Sequence, residues 1–145
     1  MSTFRLDRLF SPRSIAVVGA SPRPTSPGRA VLKNLRQAGG AGTRALVNPH
    51  YSAIEDVAAV KSYRDLAAAP DVAVIAVPPA AVPSALAEAG AKGTPAAIII
   101  TAGLGHGPGS LAAQCETAAR ATGLRLVGPN CLGVVDFLRR LPLTF

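Results

Sequence analysis

Short aliphatic segments alternate with longer amphipathic segments along this chain. The aliphatic segments predict buried strands at 14–18, 43–48, 71–77, 96–101 and 124–127. Apolar positions at helical spacing predict helices at 28–39, 80–92 and 108–122. Residues 52–60 have a weakly helical pattern, and 61–63 favours a short extended piece. Strands that alternate with helices are typical of parallel sheets with right-handed crossovers, so we predict a single α/β domain, a Rossmann-like doubly wound parallel sheet.

The loops that follow the predicted strands are candidate ligand sites, because this fold binds ligands at the carboxyl ends of its strands. These loops are 19–28, 48–50, 77–79, 101–107 and 128–133, and all are rich in Gly, Pro, Ser, Thr or Asn. Turns need the same residue types, so the enrichment favours a site only weakly. His50 and His106 lie in two of these loops without a plausible triad partner. We therefore expect no catalytic residue in this segment.

The loop after the first strand departs from the dinucleotide fingerprint. A G-x-G-x-x-G motif that begins at Gly19 needs glycine at 21 and 24, where the chain has Ser21 and Pro24. An NAD domain also prefers Asp or Glu at the end of the second strand to hold the ribose hydroxyls, and Asn48 stands there. An NAD(P)-binding oxidoreductase domain is therefore the weaker alternative.

The same loop carries groups that suit a phosphate. Gly28 can open the following helix, whose free N–H groups and positive dipole end favour an anion. Hydroxyl donors and guanidinium groups are supplied by Ser21, Thr25, Ser26, Arg23 and Arg29. A solvated surface loop is the competing interpretation.

The formal net charge is +7, and seven basic residues stand against Asp7 within the first 36 positions. Lysine and arginine form no run longer than 139–140, so we expect a small polyanion as partner and no nucleic acid. The longest apolar runs are shorter than the roughly 18 to 20 residues that a membrane-spanning helix needs. Charged residues near the N-terminus stand where a secretory signal would have its apolar centre. Cys115 and Cys131 form no CxxC pair. We therefore expect a cytoplasmic chain with reduced thiols, no metal site and no membrane partner.

Five motifs in this order and spacing resemble a known family. They lie at 9–21 (LFSPRSIAVVGAS), 47–49 (VNP), 71–78 (DVAVIAVP), 97–103 (AIIITAG) and 127–133 (VGPNCLG). Together they resemble the N-terminal CoA-binding domain of the NDP-forming acyl-CoA synthetases. That superfamily includes ADP-forming acetate–CoA ligases and the alpha subunit of succinyl-CoA synthetase, and the resemblance spans nearly the entire chain.

The resemblance implies coenzyme A as the ligand and assigns a part of it to each loop. Residues 21–25 would surround the phosphates, and His50 would contact the nucleotide end. Residues 77–79 would line the adenine or pantetheine path, 101–103 would lie under the pantetheine arm, and 130–131 would face the reaction centre. The implied cofactor-binding residues are Gly19, Ala20, Ser21, Pro22, Arg23, Thr25, Asn48, Pro49, His50, Val77, Pro78, Pro79, Thr101, Ala102, Gly103, Asn130 and Cys131.

The resemblance also implies what this segment lacks. In the family, the phosphorylated histidine belongs to a later domain, and ATP or GTP with Mg binds an ATP-grasp domain. The complete enzyme converts acid, CoA and NTP to acyl-CoA, NDP and phosphate, with the missing ligase and ATP-grasp domains or subunit as partners. We expect 1–135 to be the CoA-binding domain and 136–145 the start of a linker to a missing domain, with the segment alone inactive. A stand-alone protein that senses CoA stays open as an alternative.

Overall fold

The predicted strands and main helices are all present in the computed structural model, which describes residues 6–39 and 43–145. The elements in chain order are α1 (Leu6–Phe10), β1 (Ser14–Val18), α2 (Pro27–Gln37), β2 (Thr43–Val47), β3 (Ala53–Ile54), β4 (Val57–Val60), β5 (Val72–Ile75), α3 (Val82–Ala91), β6 (Ala96–Ile99), α4 (Leu111–Thr122), β7 (Arg125–Val127), β8 (Gly133–Asp136) and β9 (Leu141–Thr144). Residues 1–5 and 40–42, which belong to the predicted 1–135 domain, lie outside the described residues.

Seven strands form one sheet in the order β3-β4-β2-β1-β5-β6-β7, and every neighbouring pair is parallel except β3 with β4. The chain runs outward from β1 through β2 to β4, then returns to β5 on the other side of β1. The strand order therefore reverses between β1 and β5. Loops that leave two such strands diverge and open a crevice at the carboxyl edge. The predicted Rossmann-like doubly wound fold is confirmed.

Apolar side chains fill both faces of the sheet, as a parallel sheet covered by helices requires. On one face, Leu86 of α3 and Ala119 of α4 belong to a buried cluster with the sheet. On the other face, Leu32 of α2 and Leu143 of β9 belong to a second cluster. The central strand β5 contributes to both clusters, and all four of its residues are fully buried. The sheet is therefore a rigid platform beneath the loops.

Local signals in the sequence set the ends of the helices. The Ser26 hydroxyl caps α2 by accepting a hydrogen bond from the Arg29 N–H, and Pro27 occupies the first turn, where its missing N–H costs nothing. The Ser110 hydroxyl caps α4 in the same way, and Gly123 ends that helix in the left-handed conformation. Among the helices of the described residues, none has the length and hydropathy that crossing a bilayer demands.

Residues 52–60 do not form the weak helix that their pattern predicts. They form the hairpin of β3 and β4, whose turn residues Glu55 and Asp56 have φ values of 48° and 65°. Positive φ at both central residues matches the twist of tight hairpins. Pairing of β4 with β2 then overrides a weak local preference for helix.

The predicted extended piece at 61–63 is present in the backbone of Ser62, but it forms no strand and ends where a 3₁₀ turn begins. Residues Tyr63–Asp65 form a 3₁₀ turn that Ser62 and Asp65 cap reciprocally. The Tyr63 hydroxyl is 2.7 Å from the Thr94 hydroxyl in the core, so burial of the ring fixes this turn.

The last part of the chain forms an antiparallel hairpin of β8 and β9, which the hydrophobic pattern did not indicate. Leu143 is fully buried against the side of the sheet that α2 covers, and the Asn34 side chain donates to the Thr144 carbonyl at 2.9 Å. Val135 pairs with Pro142, so the predicted domain boundary at 135 falls within this hairpin. Strand β9 thus packs on the domain.

Candidate functional site

The loops that leave β1, β2, β5, β6 and β7 meet at one edge of the sheet, as their strand-end positions predict. The Gly19 N–H donates to the Val47 carbonyl at 3.0 Å, which joins the first loop to the second. The Asn130 N–H donates to the Thr101 carbonyl at 3.1 Å, which joins the last loop to its neighbour. The predicted site residues therefore lie along a single edge.

Two glycines bring the first loop unusually close to its neighbours. Gly19 has a φ of +93°, and a Cβ there would lie 2.7 Å from the Ala76 carbonyl oxygen. At Gly28, in the first turn of α2, a Cβ would lie 2.8 Å from the Ala20 Cα. These contacts allow the N-terminus of α2 to pack directly on the loop. The chain thus has its close-approach glycines at 19 and 28, which differs from the G-x-G-x-x-G spacing.

The first loop exposes polar groups beside the N-terminus of α2. Pro22, Arg23 and Thr25 are exposed, whereas Ser21 is only 6% exposed. Within the described part of the chain, the Arg23 side chain has neither an ion pair nor a hydrogen bond. The loop therefore presents one unengaged guanidinium group.

Arg29 is engaged elsewhere, although the sequence offered it as a second phosphate ligand. Its Nε lies 2.7 Å from Glu55 Oε1, and its Nη1 donates to the Pro22 carbonyl at 2.8 Å. Arg36 also donates to the Glu55 backbone carbonyl. Arg29 therefore ties the first loop and α2 to the β3–β4 hairpin. The sequence analysis missed Glu55 in this role, because its partner lies 26 residues away.

Asn48 lies at the end of β2, where an NAD domain would place an acid. Its Nδ2 donates to the Ala20 carbonyl at 2.6 Å, and its Oδ1 accepts from the His50 N–H at 2.8 Å. Asn48 is 6% exposed, and Pro49 and His50 beyond it are exposed. The carboxamide thus links the first loop to the second.

The third and fourth loops also lie against each other. The Thr101 hydroxyl donates to the Val77 carbonyl at 2.7 Å, and a Cβ at Gly103 would lie 3.7 Å from Pro79 Cγ. The exposed residues of this pair are Pro78 and Pro79 in the third loop and Ala102, Gly103, Gly105, His106 and Gly107 in the fourth. The pair is mainly apolar, which suits a flexible, uncharged part of a ligand better than a phosphate.

Cys131 lies half-buried at the far end of the edge. Its Sγ is 3.3 Å from the Ile99 carbonyl, whereas the preceding Asn130 is exposed with a φ of 53°. The described residues contain no cluster of His, Cys, Asp and Glu that could hold a metal ion.

Clear pKa shifts occur away from this edge. Burial raises the pKa of Tyr63 to about 12, and burial also raises the pKa of the Cys115 thiol. Both side chains belong to the core beneath α3 and α4. Hydrogen bonds from the Arg139 backbone and side chain lower the pKa of Asp136 in the β8–β9 hairpin. These shifts reflect structural surroundings.

A cavity of about 130 Å³ lies at the opposite edge of the sheet. It is lined by Ile15 and Arg44, near the beginnings of β1 and β2, and by Leu141 and Pro142 of β9. The carboxyl edge, in contrast, exposes residues from several separate loops. An extended ligand that lies across several loops fits such a surface better than a compact, enclosed one.

Comparisons with known proteins agree with this geometry. A family model described as a CoA binding domain matches residues 13–136. The alpha subunit of acetate–CoA ligase (ADP-forming) II from Pyrococcus furiosus is 38% identical over 143 residues, which cover 97% of this chain and 31% of the subunit.

Two solved structures place the domain in different contexts. Dinucleotide forming acetyl-coenzyme A synthetase 1 of Ca. Korarchaeum cryptofilum, in complex with phosphate and ADP, has a TM-score of 0.89 at 34% identity, covering 96% of this chain and 30% of that chain. A structure from Thermus thermophilus has a TM-score of 0.69 at 28% identity, covering 91% of this chain and 94% of that chain. This chain thus spans less than a third of the ligase subunit and of the synthetase, but nearly all of the smaller protein.

Proposed function

This chain belongs to the CoA-binding domain family, and we propose that its carboxyl edge binds coenzyme A for the ligase reaction of a larger acyl-CoA synthetase. The observation that carries the proposal is the continuous line of loops from Asn48 through Gly19 and Val77 to Thr101 and Asn130. Coenzyme A is a long molecule with a charged nucleotide at one end and a thiol at the other. A line of loops that changes from basic to apolar matches that distribution.

The phosphates belong at the first loop in this proposal. The N-terminus of α2 supplies the positive end of the helix dipole, which favours an anion, although the Ser26 hydroxyl already caps the Arg29 N–H. Arg23 supplies the unengaged charge, and the Ser21 and Thr25 hydroxyls add donors beside it. We assign the nucleotide end to the neighbouring Pro49 and His50.

The pantetheine arm follows the apolar pair of loops toward the end of the edge. Val77, Pro78 and Pro79 form one wall of this path, and Thr101, Ala102 and Gly103 lie beneath it. Asn130 and Cys131 would then lie near the CoA thiol. The role assigned to these residues is binding and orientation of the arm.

The reaction of the complete enzyme requires more chain than this. We propose that acid, CoA and ATP or GTP give acyl-CoA, the nucleoside diphosphate and phosphate, with Mg and the nucleotide bound by an ATP-grasp domain or subunit. This proposal draws on the family resemblance and on the ligase subunit, of which this chain covers 31%. The present domain would hold CoA while the other domains activate the acid.

A stand-alone CoA-binding protein is the second candidate. The similar Thermus thermophilus structure favours it, because this chain covers 94% of that protein. The length of the natural reading frame distinguishes the two candidates. A frame that continues into ligase and ATP-grasp domains supports the synthetase, and a frame of about this length supports the single-domain protein.

A cytoplasmic location is part of the same proposal. Cys115 and Cys131 are both free thiols, which is the usual state in a reducing compartment.

Calorimetric titration of the chain with CoA and with NAD tests the binding proposal. We expect tighter binding of CoA, because both polar atoms of the Asn48 side chain are already engaged and no carboxylate replaces it for a ribose diol. Dephospho-CoA, which lacks the 3′-phosphate, should bind more weakly than CoA. Tighter binding of NAD than of CoA would overturn the proposal.

A further inference from the structure

The Asn48 carboxamide is one of few buried polar side chains in the described residues, and both of its ends are occupied. The Ala20 carbonyl can only accept and the His50 N–H can only donate, so these partners fix which end of the carboxamide faces the first loop. The Asn48 N–H is also held, by the Val60 carbonyl at 2.9 Å. Asn48 is therefore held at the sheet edge, and its side chain fixes the position of the Ala20 carbonyl.

The carbonyl that Asn48 holds belongs to the peptide unit between Ala20 and Ser21. In a planar trans peptide, the N–H points opposite to the C=O. When Asn48 draws the Ala20 carbonyl toward β2, the Ser21 N–H must point away from Asn48. No described residue accepts a hydrogen bond from this N–H, although Ser21 is only 6% exposed. Backbone N–H groups of buried residues nearly always have a partner, so this one indicates a ligand.

We propose that Asn48 is a positioning residue for CoA, which orients the Ala20–Ser21 peptide so that the Ser21 N–H donates to a CoA phosphate. This inference rests on the proposed function and changes the role of Asn48 within it. Asn48 acts through the first loop, and the group that touches the ligand is the Ser21 N–H. A neutral donor is needed at residue 48, because the group opposite it is a carbonyl oxygen.

Substitution Asn48→Asp tests this requirement directly. An ionised carboxylate still accepts from the His50 N–H, but its second oxygen faces the Ala20 carbonyl oxygen and repels it. The peptide would then rotate, and the Ser21 N–H would turn from the ligand. A protonated carboxyl group has an O–H that donates to the same carbonyl. Burial and the facing carbonyl both raise the pKa of such a carboxyl group, so protonation should restore binding as the pH falls.

The titratable and charged groups around residue 48 are known and can be controlled. They include Arg23 of the first loop, Arg29 of α2, Glu55 and Asp56 at the hairpin turn, Lys61 after β4, and His50. Imidazole and phosphate groups in general change charge between pH 5 and 8. Both effects are shared by the unmodified chain and the variant. The ratio of the CoA affinities of the unmodified chain and the variant therefore cancels both effects. The same ratio measured in a His50→Gln background isolates the contribution of residue 48.

The experiment measures CoA affinity from pH 5 to 8 for the unmodified chain, Asn48→Asp and Asn48→Ala. At pH 8 we expect both variants to bind at least about tenfold more weakly, as for loss of a charge-assisted hydrogen bond. The deficit of Asn48→Asp should shrink as the pH falls, and that of Asn48→Ala should not. Thermal melts without CoA show whether each variant is folded. Because Asn48→Ala brings no buried charge, it keeps the test decisive if Asn48→Asp unfolds at high pH.

The outcomes separate this inference from the proposed function. If the unmodified chain binds no CoA, both are overturned. If it binds CoA and the folded variants bind equally well at pH 8, only the positioning role is overturned. A deficit of Asn48→Asp that does not change with pH also overturns it, since a general structural defect would not respond to protonation of residue 48.

Discussion

Arg29 and Glu55 form an ion pair in which Nε and Oε1 are 2.7 Å apart, at the junction of α2 and the β3–β4 hairpin. Both side chains are partly buried, with exposed fractions of 33% and 26%. The same guanidinium group donates to the Pro22 carbonyl, so it braces the first loop from within. Of the two arginines near this loop, Arg23 is thus the one available to a phosphate.

Substitution Arg23→Ala should weaken CoA binding. A well-formed, desolvated charge-assisted hydrogen bond contributes about 1.5 to 3 kcal/mol, so we expect a loss of roughly tenfold or more in affinity. Calorimetric titration with CoA measures the change. The matched control is Arg120→Ala, because Arg120 is exposed on α4 and its removal changes the net charge equally. Equal losses for both variants would mean that the first loop is not the phosphate site.

Substitution Gly28→Ala should destabilise the fold, although alanine is the better helix former. The new Cβ would lie 2.8 Å from the Ala20 Cα and 2.9 Å from the Ala20 nitrogen, so α2 must move away from the loop. We expect a loss of about 1 to 3 kcal/mol in the free energy of unfolding, as for overpacking at a close contact. Denaturant titration followed by circular dichroism measures it. Increased stability would show that the close approach of α2 to the loop is not maintained.

The chain alone should form no acyl-CoA from acetate, CoA and ATP or GTP. The proposed reaction assigns nucleotide binding and phosphate transfer to other domains, so this domain can bind CoA without activating an acid. Incubation with γ-labelled ATP or GTP, followed by separation of the protein, should leave His50 and His106 unlabelled. Stable phosphate on either histidine would contradict the assigned division of labour. Binding of CoA by the same sample serves as the positive control.

Stability should fall at high pH because of Tyr63. Burial raises the pKa of Tyr63 from 10.0 to about 12, against the opposing hydrogen bond with Thr94. The unfolded chain therefore loses this proton more readily than the folded chain. The stabilisation that neutral Tyr63 contributes is fully present below pH 10. Between pH 10 and about pH 12 the free energy of unfolding falls by on the order of 2 kcal/mol.

Denaturant titrations between pH 8 and 12 on the unmodified chain and Tyr63→Phe measure this effect. Because Tyr63→Phe also removes the hydrogen bond with Thr94, the absolute free energies of unfolding of the two proteins are not compared. The comparison uses the slope of the free energy of unfolding against pH. The slope should be shallower in Tyr63→Phe. Identical slopes would show that Tyr63 ionises as easily in the folded chain as in the unfolded one.

The sequence by itself determined the alternation of strands and helices, and with it the fold class. Aliphatic runs such as 71–77 and 96–101 are recognisable because a parallel strand covered on both faces must be apolar throughout. The predicted bounds of 28–39 and 108–122 fall within three residues of those of α2 and α4. Since all parallel strands point the same way, the sequence also predicted which loops share an edge.

The tertiary structure decided which polar groups on that edge are free and which hold the structure together. Arg29 and Asn48 looked like ligand groups in sequence, but their partners Glu55 and Ala20 lie 26 and 28 residues away. The hairpins of β3 with β4 and of β8 with β9 likewise form because distant surfaces become available for pairing and burial, which outweighs weak local preference. The local hydrophobic pattern indicates the periodicity of a helix or strand. The partner of a charged side chain, or the strand with which a short strand pairs, depends on which distant residues folding brings beside it.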